Sequence, residues 1–331
     1  MGELLRRTVT PLAPPTGAMA NITSHTVFEL SCFLELGRLR PLLFLPLSLF
    51  YFLSLGANFL LVFVILRHRS LQSPMYLLIA GMACVDGALP LLVLSPLLLS
   101  FLWGWTQMSL GTCLLQMFVV HLLGAFQSTI LLWMAVDRCL AVVCPLRYSA
   151  RLSGRVLLGL AVPLVLRNVT LISGLVVLVG RLHFCDFVLL NCFCEHMAVV
   201  RLACGDTSLN SALGLLTIGL VPVLDFILIA VSYVVVLATA LSGRIVTKAT
   251  NTVVTHIIVM SISLAVILVA FISYRVHHKL PHTARLLCSA LYLFLPSTTN
   301  PLAFGIRTQE IRKQILHLLR PVFYLNSVKT S

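Results

Sequence analysis

Seven apolar runs set the main constraint on this chain: residues 42–66, 75–100, 113–138, 156–180, 210–240, 251–274 and 286–306. Each is long enough to cross a hydrocarbon core of ~30 Å as a helix rising about 1.5 Å per residue. Inside lipid there is no water to satisfy backbone N–H and C=O groups, so runs of this length are confined to helices. The reading is an all-α membrane protein, a seven-transmembrane helix bundle. The composition agrees, with 59% hydrophobic residues, only 10% charged and a mean hydropathy of +1.04. A soluble domain carries roughly 25% charged residues.

The runs divide the chain into an N-terminal tail, 1–41, a bundle, 42–306, and a C-terminal tail, 307–331. In that last tail Ile311, Ile315, Leu318 and Leu319 recur at helical spacing against Arg312, Lys313 and Gln314, the pattern of a short amphipathic helix at a membrane interface. The net charge of +13 is unevenly placed. Cations gather at Arg67 and Arg69, Arg138 to Arg155, Arg244 and Lys248, and Arg307 to Lys329. These are alternate connections, which the positive-inside rule assigns to the cytoplasm, so the N-terminus is expected outside and the C-terminus inside. The opposite connections hold Arg181, Arg201, Arg275, Lys279 and Arg285 together with Asp186, Glu195 and Asp206. Charge distributed by membrane side argues against a nucleic-acid partner.

Four of the ten cysteines, Cys185, Cys192, Cys194 and Cys204, fall in one connection on the outer side, as does Cys113. Disulfides persist on that side. Zinc is the competing use, but C-x6-C-x-C-x9-C lacks the paired C-x2–4-C knuckles of structural zinc sites. Cys113 could pair with Cys192 or Cys194 on spacing alone. The N-terminal tail carries the sequon Asn21-Ile22-Thr23, a glycosylation site if the tail is outside. Arg6 and Arg7 precede a proline-broken stretch rather than a secretory signal core, and Met19 reads as a second start.

Polar groups within the spans are costly unless they face protein or a wet cavity. The third span has Gln116, His121, Gln127 and Ser128, then Asp137-Arg138 at its end, and so reads as the bundle axis. Asp86, Arg167, Asn168 and Asp225 lie in other spans. Asp86, Arg167 and Asp225 read as too scattered for a transport path. There is no internal repeat and no nucleophile–base pair, which argues against a transporter and against an intramembrane hydrolase.

Several motifs occur in order along nearly the whole chain. They are Pro74-Met75-Tyr76, Met134-Ala135-Val136-Asp137-Arg138 with Pro145-Leu146-Arg147-Tyr148, Ser232-Tyr233, Lys248-Ala249 leading to Thr255-His256, and Asn300-Pro301. Together they resemble the olfactory receptors of the rhodopsin-like G-protein-coupled class. Cys194-Glu195-His196-Met197, Leu202-Ala203-Cys204-Gly205-Asp206-Thr207 and Lys248-Ala249-Thr250-Asn251-Thr252 are similar to the class I, or fish-like, branch.

The resemblance implies a plasma-membrane receptor, not an enzyme and without a cofactor. It would couple a small volatile odorant to a heterotrimeric G protein of the stimulatory olfactory type. It implies disulfides Cys113–Cys194 and Cys185–Cys204. Asp137, Arg138, Tyr233, Asn300 and Pro301 would serve activation and G-protein coupling. Asn58, Asp86 and Gln127 would form a polar network with a weak sodium site at Asp86, although the family usually has glutamate where this chain has Gln127. Arg275, 27 residues after Lys248, matches the class I arginine that pairs with the carboxylate of acidic odorants; alone, it reads as a snorkelling anchor. His121, Met117 and Gly124 on one helical stripe, with His196, Asn210, Leu268 and Val269, would line the same pocket. A lone His121 otherwise reads as a helix–helix hydrogen-bonding residue. The chain departs from the family pattern at Cys139, at Phe304, at Val253 and at Ser263-Leu264-Ala265-Val266, where a Phe-Tyr-x-Pro run is usual.

Overall fold

The computed structural model describes residues 26–33, 37, 41–145, 154–239, 242, 247–276 and 280–328. Asn21, Met19, Arg147, Arg244 and Lys279 fall outside them, as do the side chains of 248–256.

The bundle helices are α1 (Phe44–Arg67), α2 (Pro74–Trp103), α3 (Leu110–Val143) and α4 (Gly154–Gly180), followed by a short α5 (His196–Val200) in the next connection. A fifth crossing runs as α6 (Ser208–Ile218), a widened π turn (Gly219–Val223) and α7 (Leu224–Thr239). Then come α8 (Thr247–Arg275), α9 (His282–Arg307) and the tail helix α10 (Gln309–Val328). Among the described residues, five segments are long and apolar enough to cross a membrane on their own account: Pro41–Arg67, Pro74–Trp103, Leu110–Val143, Ala161–Gly180 and Ser208–Thr239. The described apolar part of α8 is the shorter Met260–Arg275.

Local chemistry sets the helix ends. Pro74 occupies the first turn of α2, where its missing N–H is harmless, and Gly104 closes the helix at φ 68°, in the left-handed region that glycine enters freely. Ser109 caps α3, its hydroxyl accepting the Thr112 N–H at 3.3 Å. Pro222 lies inside the widened turn of the fifth crossing, where a residue without an N–H cannot continue an ordinary α-helical ladder.

Helix α3 packs on α2, α4 and α7, and Gln116, His121, Gln127 and Ser128 are all buried. The polar interruptions therefore do mark an inward-facing axis. The outward faces are apolar, as lipid contact requires: Leu45, Phe52, Phe59 and Val234 are each about two-thirds exposed or more.

At one end of the bundle the chain forms a small sheet that the helical reading did not anticipate. β1 (Val27–Leu30) runs antiparallel to β2 (Gln107–Ser109) and parallel to β3 (Val188–Leu189), with Val27 opposite Ser109 and Glu29 opposite Val188. Phe28, fully buried, packs edge-on against Phe184 at 5.0 Å. Three disulfides hold this end: Cys113–Cys194, Cys185–Cys204 and Cys32–Cys192. The last assigns the surplus Cys192 and ties the N-terminal segment to the long loop. At the opposite end α10 folds back on the bundle. Ile311 is fully buried there, Ile315 and Leu318 pack beside it, and Arg312 and Lys313 are exposed. Tyr76 Oη donates to Glu310 at 3.3 Å, joining α2 to that tail helix.

Candidate functional site

A cavity lies beneath the sheet end, lined by α3, α4, α5, α6, the widened turn and α8. Its free volume is about 40 Å³. One water-sized group needs roughly 10–15 Å³ on the same measure, so about three such groups fit without rearrangement. His121, Gly124 and Ser128 enter from α3, Gly214 and Thr217 from α6, and Ile267, Phe271 and Arg275 from α8; Glu195 and His196 come from the loop. The spacing of 267, 271 and 275 is one residue per helical turn.

Arg275 is the cation of this cavity. Its Nη1 donates to the Ser211 carbonyl at 3.0 Å and to the Ser211 hydroxyl at 2.7 Å. Its Nε has no hydrogen-bond partner among the described residues. Gly214 makes room for it: a Cβ there would overlap the Arg275 guanidinium and lie 3.1 Å from the His196 ring. His121 Nδ1 lies 2.8 Å from the Met117 carbonyl, one turn back on its own helix, and Nε2 has no partner among the described residues.

In the loop, burial, then the neighbouring His121 and Arg275, push His196 down to about 3, so its ring is neutral. Burial also holds Glu195 above the ordinary carboxylate range, against the opposing pull of its backbone hydrogen bonds and of Arg201 and Arg275. Glu195 caps α5, its Oε2 accepting the Ala198 N–H at 2.7 Å. Arg201 has its pKa lowered mainly by burial and donates to the Tyr274 carbonyl. The sequence reading left out most of the wall, including Thr217, Ile267 and Phe271, and one titratable cavity residue, Glu195. An acid directly after the loop cysteine that crosslinks to α3 was the available signal.

Four expected lining residues lie elsewhere. Val269 is 54% exposed on the outer face of α8, and Leu268 is half-buried outside the cavity. At about 100° per residue, Val269 points roughly 160° away from the middle of the 267–271–275 stripe, and Leu268 lies at its edge, roughly 60° to one side. Met117 is buried one turn nearer the sheet, packed with Phe28, Cys113, Leu189 and Val199 under the loop rather than in the cavity. Asn210 is buried one turn above Gly214, also outside the cavity wall, with its side-chain oxygen unpartnered among the described residues.

Below the cavity sits an ion pair. Asp225, with no exposed surface, receives Arg167 Nη1 at 2.8 Å, Arg167 Nη2 at 3.1 Å and the Ser128 hydroxyl at 2.9 Å. Arg167 also donates Nη1 to the Leu220 carbonyl in the widened turn, Nη2 to Thr129 Oγ1 and Nε to Asn168 Oδ1. All five guanidinium protons thus have acceptors. Arg167 and Asp225, read from sequence as scattered, are one buried group joining α3, α4 and the fifth crossing.

Nearer the tail end, Asp86 Oδ1 accepts Gln127 Nε2 at 2.7 Å and Oδ2 accepts Asn300 Nδ2 at 2.9 Å; Ser263 donates to Asn300 Oδ1 at 3.2 Å. Asn58 takes no direct part. It donates to the Ser297 carbonyl at 2.8 Å, tying α1 to α9. Because both Asp86 oxygens face amide N–H groups rather than further oxygens, this arrangement does not fit the sodium ion that the resemblance suggested. Among the described residues no group of His, Cys, Asp and Glu could hold a metal. Arg138 Nη2 lies 3.5 Å from Asp137 Oδ2 at the end of α3. Tyr233 Oη lies 2.9 Å from Met260 Sδ, and Phe304, Leu264 and Pro301 are buried nearby on α8 and α9.

A seven-helix bundle with a disulfide-pinned loop over an internal cavity and a tail helix folded under it is the fold of the rhodopsin-type membrane receptors. Squid rhodopsin superposes with a TM-score of 0.68 over 85% of this chain and 87% of its own, at 15% sequence identity. The particular family follows from sequence, since the olfactory receptor model matches residues 47–321. Human olfactory receptor 52K1 is 34% identical over 307 residues (91% of this chain, 98% of the relative), and human 52K2 is 35% identical over 300 residues (89% and 95%). Human olfactory receptor 51E2 is 34% identical over 281 residues (83% and 87%). The chain belongs to the olfactory receptor family, in keeping with the class I motifs, and is a multi-pass membrane receptor and not an enzyme.

Proposed function

We propose that the cavity binds a small carboxylic acid through Arg275. Binding would shift the bundle toward a state that activates a G protein of the stimulatory olfactory type. The observation that carries this reading is the placement of the guanidinium: half-buried, lining the cavity, held from one side by Ser211 and with Nε unpartnered. A guanidinium and a carboxylate form parallel charge-assisted hydrogen bonds, strongest where water is excluded. The small free volume favours acids of a few carbons. The ligand acts only through its differential affinity for the active arrangement. Asp137 and Arg138, with Tyr233, Asn300 and Pro301, form the coupling end. In this reading the sheet end and the Asn21 sequon lie outside the plasma membrane and α10 lies on the cytoplasmic interface.

A cAMP reporter screen of short- to medium-chain fatty acids on wild type and Arg275→Ala tests the proposal. Acids should activate wild type and lose most of their effect on the variant; equal activation of both sinks it. A second reading, a signalling-impaired receptor, is favoured by Cys139, Phe304 and Val266, which stand where the family carries switch residues. It predicts a surface-expressed protein that binds acids without raising cAMP.

A further inference from the structure

Two further buried polar atoms, one in the cavity wall and one in an adjoining recess, together specify more than a carboxylate. The Met117 carbonyl can only accept, so His121 Nδ1 carries a proton. In the neutral ring Nε2 is then a bare acceptor, and it has no partner among the described residues. The second atom is the Tyr292 hydroxyl, on α9. It is buried, likewise without a partner, and packed so tightly against Gly124 that a Cβ there would overlap it. His121 and Tyr292 share a smaller recess that also has Glu195 and Phe271 in its wall. Phe271 packs against both rings, with centroids 5.8 Å from His121 and 5.9 Å from Tyr292. His121, Glu195 and Phe271 also line the main cavity, so the two spaces adjoin.

A free acceptor beside a free donor matches a group that both donates and accepts. An alkyl chain satisfies neither, and a ketone satisfies Tyr292 alone. An ammonium donates only, and it would sit in a cavity that already holds Arg275. A hydroxyl satisfies both.

We propose that the preferred ligand class is a short hydroxy acid, its carboxylate on Arg275 and its hydroxyl between His121 Nε2 and Tyr292 Oη. This deepens the acid reading above and rests on it. Gly124 leaves room for the Tyr292 hydroxyl to reach the recess, which gives that glycine a role in specificity.

The test uses the purified full chain in detergent and reads ligand-induced thermal stabilisation, which follows binding whether or not the receptor signals. The probes are butanoate, 2-oxobutanoate, 2-hydroxybutanoate and 3-hydroxybutanoate, on wild type, His121→Phe, Tyr292→Phe and Arg275→Ala. Leaving buried polar groups unpaired discriminates strongly, so one hydroxybutanoate should bind wild type roughly tenfold more tightly than butanoate. That advantage, read as the ratio of hydroxybutanoate to butanoate binding within each variant, should shrink to about two- to threefold in Tyr292→Phe and vanish in His121→Phe. Tyr292→Phe keeps the ring, so it reports even if His121→Phe fails to fold. Butanoate or 2-oxobutanoate binding as tightly as both hydroxy acids overturns the inference, as does an advantage that survives Tyr292→Phe undiminished. Butanoate binding that is indifferent to Arg275→Ala overturns the underlying acid reading instead, and binding of no acid to wild type overturns both.

Discussion

Replacing Arg167 by methionine should be among the most damaging single changes available in the bundle. The substitution keeps most of the side-chain volume but removes five donated hydrogen bonds at once, those to Asp225 Oδ1, Asp225 Oδ2, Leu220 O, Thr129 Oγ1 and Asn168 Oδ1. Asp225, with no exposed surface, would keep only the Ser128 hydroxyl. Stranding one member of a buried pair costs about 3–5 kcal/mol, because the remaining charge is left without water or partner. For a chain of this size that corresponds to a fall in melting temperature on the order of 10 °C. The same physics predicts the rescue. In Arg167→Met/Asp225→Asn the stranded charge is gone, and exchanging a buried pair for neutral groups is often close to neutral, so the double variant should recover more than half of the loss. The assay is thermal unfolding of the purified receptor in detergent, with cell-surface expression as a second readout. If Arg167→Met melts within about 2 °C of wild type, or the double variant is no more stable than the single, the pair does not hold the three helices together as argued.

Gly214→Ala places a methyl where the Arg275 guanidinium now lies, so acid potency should drop at least tenfold with little change in unfolding temperature; unchanged potency would mean that Arg275 does not need that position. Glu195→Gln removes the carboxylate that competes for Arg275 and would repel an acidic ligand, and acid affinity should rise several-fold by the same stabilisation assay. Cys32→Ser should leave the Cys113–Cys194 and Cys185–Cys204 bridges intact but free the N-terminal strand from the loop. It should open Cys192 to thiol labelling and lower stability by about 2–4 kcal/mol, the usual contribution of a long-range disulfide. Absence of labelling would argue against the Cys32–Cys192 pairing.

Much of this protein is legible in one dimension because lipid imposes one-dimensional rules. A backbone without water must be helical, a span needs about 20 apolar residues, and cations collect on one side, so seven runs and their charged connections define the bundle and the tail helix. The motifs at Asp137-Arg138 and Asn300-Pro301 carry the family. The cavity is less legible. Placing Leu268 and Val269 with Arg275 in the pocket failed because the lining stripe runs through 267, 271 and 275, which leaves Leu268 at its edge and Val269 on the outer face, and Met117 was claimed by the loop packed above it.

What only the tertiary structure decided are the pairings between residues far apart in the chain. Arg167 and Asp225 are 58 positions apart and come together because the widened turn at Gly219–Val223 and the packing of α3 against α4 bring their side chains to one point. Cys32 finds Cys192 across 160 residues because β1 is threaded between β2 and β3. His121 and Tyr292 share a recess for the same reason: α3 and α9 both face the interior. Periodicity says which way a side chain leaves its own helix; which group it meets depends on how the helices are packed.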